Sequence, residues 1–132
     1  MISLDTNVLV RYIVSDDPEQ TKAARALMDN LTPDNPGFIS REVIIEIVRV
    51  LERGYNFTRT RVTEVVMNLA TSDSLLVEDS GDVVGAAYCY VEGHANISDI
   101  MILSAAQRSG ATPLYTFDRK LARFADAKKL AI

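Results

Sequence analysis

The chain has 132 residues, 48% of them hydrophobic, and a formal net charge of −4, which indicates one domain with a proper core and excludes disorder. One cysteine, Cys89, and one histidine, His94, exclude an internal disulfide, a cysteine-rich zinc site and histidine-dominated metal or paired-histidine chemistry. The acidic balance excludes a general nucleic-acid coating protein, which needs a broad basic face, but not an enzyme that grips a few phosphates locally.

The run Ile2-Ser3-Leu4 predicts a strand over residues 2–5, and Asp5 at its end opens a helix over 6–14. The first five residues lack the basic segment and apolar stretch of a signal peptide, and no apolar run is long enough to span a membrane, so the chain reads as cytoplasmic. Asp16-Asp17-Pro18 starts a second helix over 17–31, with Pro18 suited to its first turn. A strand over 37–40 leads into a helix over 41–53, with Gly54 suited to its end; helix 59–71 and strand 75–78 follow. The remaining expectations are helices over 80–92 and 97–109, a strand over 112–117 and a last helix over 118–125, with Gly110 suited to end the helix before the strand. Short strands alternating with helices imply an α/β fold whose parallel sheet is covered on both faces.

Four acids stand out against this frame. Asp5 and Asp118 each follow a strand and begin a helix, Asp99 lies in the first turn of helix 97–109, and Glu46 lies inside helix 41–53. Advancing about 100° per residue, Glu46 falls beside Val50 at the edge of a broad apolar face and is expected to be half-buried. Ile45 is expected on the outer side of that helix as a weak sign of an interface, and the stripe Val62, Val65, Val66, Leu69 as core or a subunit contact. Asp99 falls between Ala106 and Leu103, on the inward stripe, where an unpaired carboxylate costs several kcal/mol. Each acid has an ordinary explanation by itself: a helix cap for Asp5 and Asp118, a favourable dipole for Asp99, an ion pair with Arg49 or Arg53 for Glu46. Together they point to one crevice at the C-terminal ends of parallel strands.

Two carboxylates about 6 Å apart repel by roughly 3 kcal/mol at an effective dielectric of ~20. Six such pairs approach ~15 kcal/mol, as much as the whole stability of a domain. Protons, bases or a divalent cation must relieve this. Hard oxygen donors without histidine or thiolate select Mg²⁺ or Mn²⁺, and the chemistry such sites serve most often is phosphoryl transfer. Thr6, Asn7 and Thr116 are candidate supports for the carboxylates; Arg119, Lys120 and Arg123 are candidate contacts to a phosphate backbone, or a solvated face. No phosphate-binding glycine loop and no Gly-x-Ser-x-Gly is present.

These residues resemble the PIN-domain ribonucleases, and among them the VapC-type toxins of toxin–antitoxin pairs. The likeness runs through Asp5-Thr6-Asn7, through Ile39-Ser40 and the helix with Glu46, through Asn96-Ile97-Ser98-Asp99 and the residues after it, and through Thr116-Phe117-Asp118-Arg119-Lys120-Leu121. Ile97 stands where an aromatic is as common. The resemblance implies a single domain over 1–132 with a Rossmann-like fold: a parallel sheet of four to five strands flanked by helices on both faces. It implies a Mg²⁺- or Mn²⁺-dependent endoribonuclease, a homodimer, and a cognate antitoxin that blocks the acidic pocket. Carried over by position, Asp5, Glu46, Asp99 and Asp118 are the metal-binding acids and Thr116 their supporting hydroxyl. The rival expectation is a PIN-like protein that chiefly binds a partner and has an idle pocket. A haloacid-type phosphatase would need an aspartate where Asn7 stands, and a receiver domain would need a lysine placed otherwise than Lys120.

Overall fold

The computed structural model describes residues 1–132. In chain order the elements are β1 (Ile2–Ser3), α1 (Thr6–Val14), α2 (Pro18–Asp29), β2 (Gly37–Ile39), α3 (Arg41–Tyr55), α4 (Arg59–Thr71), β3 (Leu75–Val77), α5 (Ser80–Val91), α6 (Ile97–Arg108), β4 (Leu114–Thr116), a 3₁₀ turn (Leu121–Arg123) and β5 (Ala127–Lys129). Every strand pairing is parallel, as crossovers through helices require. The five strands form a sheet of three, in the order β1-β2-β3, and a separate β4–β5 pair rather than one continuous sheet. No helix is long and apolar enough to cross a membrane.

Local chemistry explains most of the boundaries. Asp17 accepts from the Gln20 amide with Pro18 at the first helical position, Ser40 caps α3 through the Val43 amide, and Thr58 caps α4 through the Arg61 amide. α3 runs through Gly54 to Tyr55, because Asn56, at φ 54°, takes the left-handed position that ends it. Gly110, at φ 67°, does follow the end of α6. The helix expected over 118–125 does not form. After Asp118 the chain makes the short 3₁₀ turn and then enters β5, whose ladder partners lie in β4.

The core gathers Leu9 of α1, Ile39 of β2, Ile44, Ile47 and Leu51 of α3 and Met101 of α6, all fully buried. The apolar face of α3 has the expected phase, with Ile44, Ile47, Val48 and Leu51 buried. Ile45, expected to face outward, is half-buried against the same core. Val62, Val66 and Leu69 are buried and Val65 packs beside them. The centre of the sheet is tight at Gly37, where an added Cβ would lie 2.6 Å from Leu4 Cδ1 and 2.9 Å from Leu31 Cδ1.

Two arginines fasten α6. Arg41, at the start of α3, donates from Nη1 to Asp79 Oδ2 (3.0 Å) and Asp82 Oδ2 (2.9 Å), and from Nη2 to the Met101 carbonyl (2.6 Å) and Ser104 Oγ (3.3 Å). Its backbone N–H donates to Glu78 Oε1 at 2.9 Å. Arg108, near the end of α6, also pairs with Asp82. Arg108 first and Arg41 second hold the Asp82 carboxyl below the usual carboxylate range. Arg59 donates to the Tyr90 and Ala95 carbonyls and to Asn96 Oδ1, and its guanidinium sits 4.4 Å over the ring of Tyr90. Tyr90 is fully buried, and its hydroxyl donates to Glu52 Oε2 at 2.7 Å.

Gly37→Ala should destabilise the fold by about 1–3 kcal/mol through overpacking, seen as a lower urea midpoint. Arg41→Met should cost about 2–4 kcal/mol, because it leaves Asp79, Asp82 and the Met101 carbonyl short of a donor. A wild-type unfolding midpoint for Arg41→Met would contradict the role given to this contact.

Candidate active site

Asp5 stands where β1 ends and α1 begins. Its Oδ1 accepts from the Thr6 amide at 2.7 Å, so the cap expected of an isolated aspartate is present. β1 is laddered to β2 through Ile2–Gly37 and Ser3–Phe38, and β2 passes through Ser40 directly into α3. This ladder brings the start of α1 against α3, and Asp5, Thr6, Asn7 and Glu46 line one pocket of about 380 Å³ with Arg11 and Tyr55. Glu46 was expected to be half-buried but is exposed. Its place at the edge of the apolar face of α3 opens onto the pocket instead of the core. It forms no ion pair with Arg49 or Arg53.

Asp99 lies in the first turn of α6 and is half-buried, as its inward phase implied. Burial first, and the charge of Asp118 second, push its carboxyl above the usual range; no cation or hydrogen bond offsets them. Asp118 follows β4. Its Oδ1 accepts from the Leu121 amide at 2.9 Å, and its own amide donates to Thr116 Oγ1 at 3.0 Å. The Thr116 hydroxyl therefore orients the backbone that carries Asp118 and keeps its own proton available. Arg119, Lys120 and Arg123 are exposed beside it and form no ion pair. Cys89 is half-buried, and the imidazole of the exposed His94 pairs with Glu92.

The four acids thus come together as two pairs: Asp5 shares a pocket with Glu46, and Asp99 feels the charge of Asp118. No three acidic, histidine or cysteine side chains are grouped as a ligand set. The topology separates the pairs. Asp5 and Glu46 are set by the three-stranded sheet, whereas Asp118 rides on the β4–β5 ladder, which shares no hydrogen bonds with it. The donor chemistry still fits a hard divalent cation. All four carboxylates are free of basic partners, and Asp99 is a half-buried anion with nothing to neutralise it.

Two polar residues in the pocket were missed in the sequence. Arg11 is one helical turn after Asn7, so the phase of α1 was the available signal. Tyr55 reaches the pocket only because α3 continues past Gly54.

Comparison with known proteins gives the family of the chain. A family model for the PIN domain matches residues 2–127. The chain is 27% identical, over 89% of its own length and 87% of the other's, to a VapC ribonuclease from Aquifex aeolicus (strain VF5).

The elevated Asp99 carboxyl fixes a sign. The folded chain holds that proton more tightly than the unfolded chain, so stability falls as pH rises from the ordinary aspartate value through the raised one. With divalent ions chelated, Asp99→Asn should melt a few degrees above the parent at about pH 7, and the gap should shrink toward about pH 4. Melting curves across that range check this, and an equal or lower melting temperature for the variant at neutral pH contradicts it.

Proposed function

The chain belongs to the PIN-domain family, and on that premise we propose that it is a metal-dependent endoribonuclease that acts as the toxin of a toxin–antitoxin pair. One observation carries the reading. The family's four acids are all present in order, borne by the start of α1, by α3, by α6 and by the end of β4, and no base neutralises any of them. A partner-binding protein with an idle pocket has no need of four carboxylates kept free in this way.

In this reading Asp5, Glu46, Asp99 and Asp118 hold Mg²⁺ or Mn²⁺. When bound, the cation supplies the Lewis acidity and the activated water that phosphodiester hydrolysis needs. The protein's own contributions are distinct. The β1–β2 ladder and the Asp5 cap keep Asp5 facing α3, which limits how far the first pair can relax. The Thr116 hydroxyl and the Leu121 amide hold Asp118 in a single orientation. Thr6 and Asn7 add a hydroxyl and an amide to the wall of the pocket, where they can orient water or a phosphate oxygen. Arg119, Lys120 and Arg123 are free to meet the RNA backbone. Hydrolysis by activated water needs no protein nucleophile. The same reading supplies a cytoplasmic setting, a homodimer and an antitoxin that covers the acids until it is lost; the relative from Aquifex aeolicus, a VapC ribonuclease, supports this class.

Purified protein incubated with RNA and Mg²⁺ or Mn²⁺ should cut within the strand and stop on addition of a chelator. Asp5→Asn and Asp99→Asn should each lower the rate by about 100-fold or more, equivalent to roughly 2.7 kcal/mol of lost transition-state stabilisation. Cleavage no greater than the chelated control, with either metal, overturns the proposal.

A further inference from the structure

One cation, Arg11, stands in the pocket with Asp5 and Glu46. Arg11 lies on α1, and its side chain is 29% exposed. Three bonds fix its guanidinium plane. Nε donates to Gln20 Oε1 at 2.7 Å, and Nη1 donates to Asp16 Oδ1 at 2.8 Å and to the Tyr55 hydroxyl at 3.2 Å. Tyr55 closes the ring by donating to Asp16 Oδ2 at 2.6 Å. Tyr55 first, and Arg11 after it, hold the Asp16 carboxyl below the usual range, so the ring keeps both its charges across the physiological range.

A guanidinium has five N–H donors. Nε and Nη1 use three of them, and these suffice to tie α1 to α2 and to the end of α3. Both N–H groups of Nη2 are left without a protein acceptor. A rigidly held cation with a free nitrogen, on the wall of a pocket that also holds Asp5 and Glu46, can donate to a phosphate oxygen. RNA also needs such a contact. Carboxylates repel the strand, and a divalent cation offsets that repulsion at the phosphate being cut more than at the next one along. Arg119, Lys120 and Arg123 differ from Arg11 because no neighbour fixes them, so ordering them on RNA costs side-chain entropy that Arg11 has already lost.

We propose that Arg11, held in place by Tyr55 and Asp16, donates from its free Nη2 to a backbone phosphate of the RNA strand next to the phosphate that is cut. Arg11 is then a substrate-binding residue, and Tyr55 and Asp16 are positioning residues that act through it. The proposal rests on the nuclease reading for its substrate.

The test uses the full chain and a short fluorescein-labelled single-stranded RNA. Cleavage is followed with Mg²⁺, and binding is followed by anisotropy with divalent ions chelated, both over a range of salt. Arg11→Gln should raise KM and the dissociation constant about tenfold and leave kcat within about a factor of two. It should also reduce the slope of log affinity against log salt by about 0.7, the share of one phosphate contact on a single strand. Arg11→Lys should restore the slope but only part of the affinity, because an ammonium on a flexible stem is not held by Gln20, Asp16 and Tyr55 as the planar guanidinium is. Tyr55→Phe should fall between the parent and Arg11→Gln, with the parent's salt slope. Wild-type KM, affinity and slope in Arg11→Gln overturn the proposal, as does a loss confined to kcat. If the protein cuts normally and Arg11→Gln is silent, the grip fails and the nuclease reading stands. If it never cuts, yet Arg11→Gln weakens binding and flattens the slope, the nuclease reading fails and the grip stands. A protein that neither cuts nor binds RNA overturns both.

Discussion

The placement of α6 depends on two guanidinium groups, those of Arg41 and Arg59. α6 has an ordinary buried face, with Ile97, Ile100, Met101 and Leu103, but apolar packing does not choose a rotation or a depth very sharply. Hydrogen bonds with fixed directions do. Arg41 seizes the Met101 carbonyl and Ser104 from α3, while Arg59 seizes the turn at Ala95 and Asn96 from α4. The Asn96 side chain is committed to Arg59 and makes no cap to its own helix. Asp99 sits between these two fastenings, three residues after Asn96 and two before Met101. A half-buried anion without a partner stays where it is only when the surrounding structure decides its position for it.

The same division of labour recurs at Asp5. Its position is given by backbone: a short ladder, a cap and the direct passage from β2 into α3. Glu46 needs no device of its own, because it lies on a helix whose apolar face is locked into the core. The molecule thus concentrates directional bonding on the elements that carry acids and leaves the acids themselves unpaired. Stability is supplied by the surrounding core, and the pocket keeps its charge for a ligand.

What was legible in the sequence follows from range. α1 and α4 have the bounds expected from spacing and caps alone, and the apolar phase of α3 predicted its buried residues. The Asp5-Thr6-Asn7 and Thr116-Phe117-Asp118 motifs were visible because strand, acid and helix signals are adjacent in the chain. Failures came where the deciding partner was distant. β5 was not expected: the last helix was placed over 118–125 and nothing beyond it, since Ala127-Lys128-Lys129 becomes a strand only opposite Leu114-Tyr115-Thr116. Glu46 was placed half-buried by phase, yet phase cannot tell a core edge from a pocket edge. The clasp of Arg41 on Asp79, Asp82 and Met101 joins residues 38 to 60 positions apart, and no local pattern announces it.

The β4–β5 pair has a practical corollary. Thr116 accepts a backbone bond from Leu130, and its neighbour Tyr115 is in register with Lys128, so the strand that presents Asp118 is completed by the last few residues of this sequence. Trimming those residues, or fusing an affinity handle or reporter directly after Ile132, pulls on the footing of Asp118 even though the attachment point looks remote along the chain. A handle at that end therefore calls for a flexible spacer that leaves the β5 ladder intact.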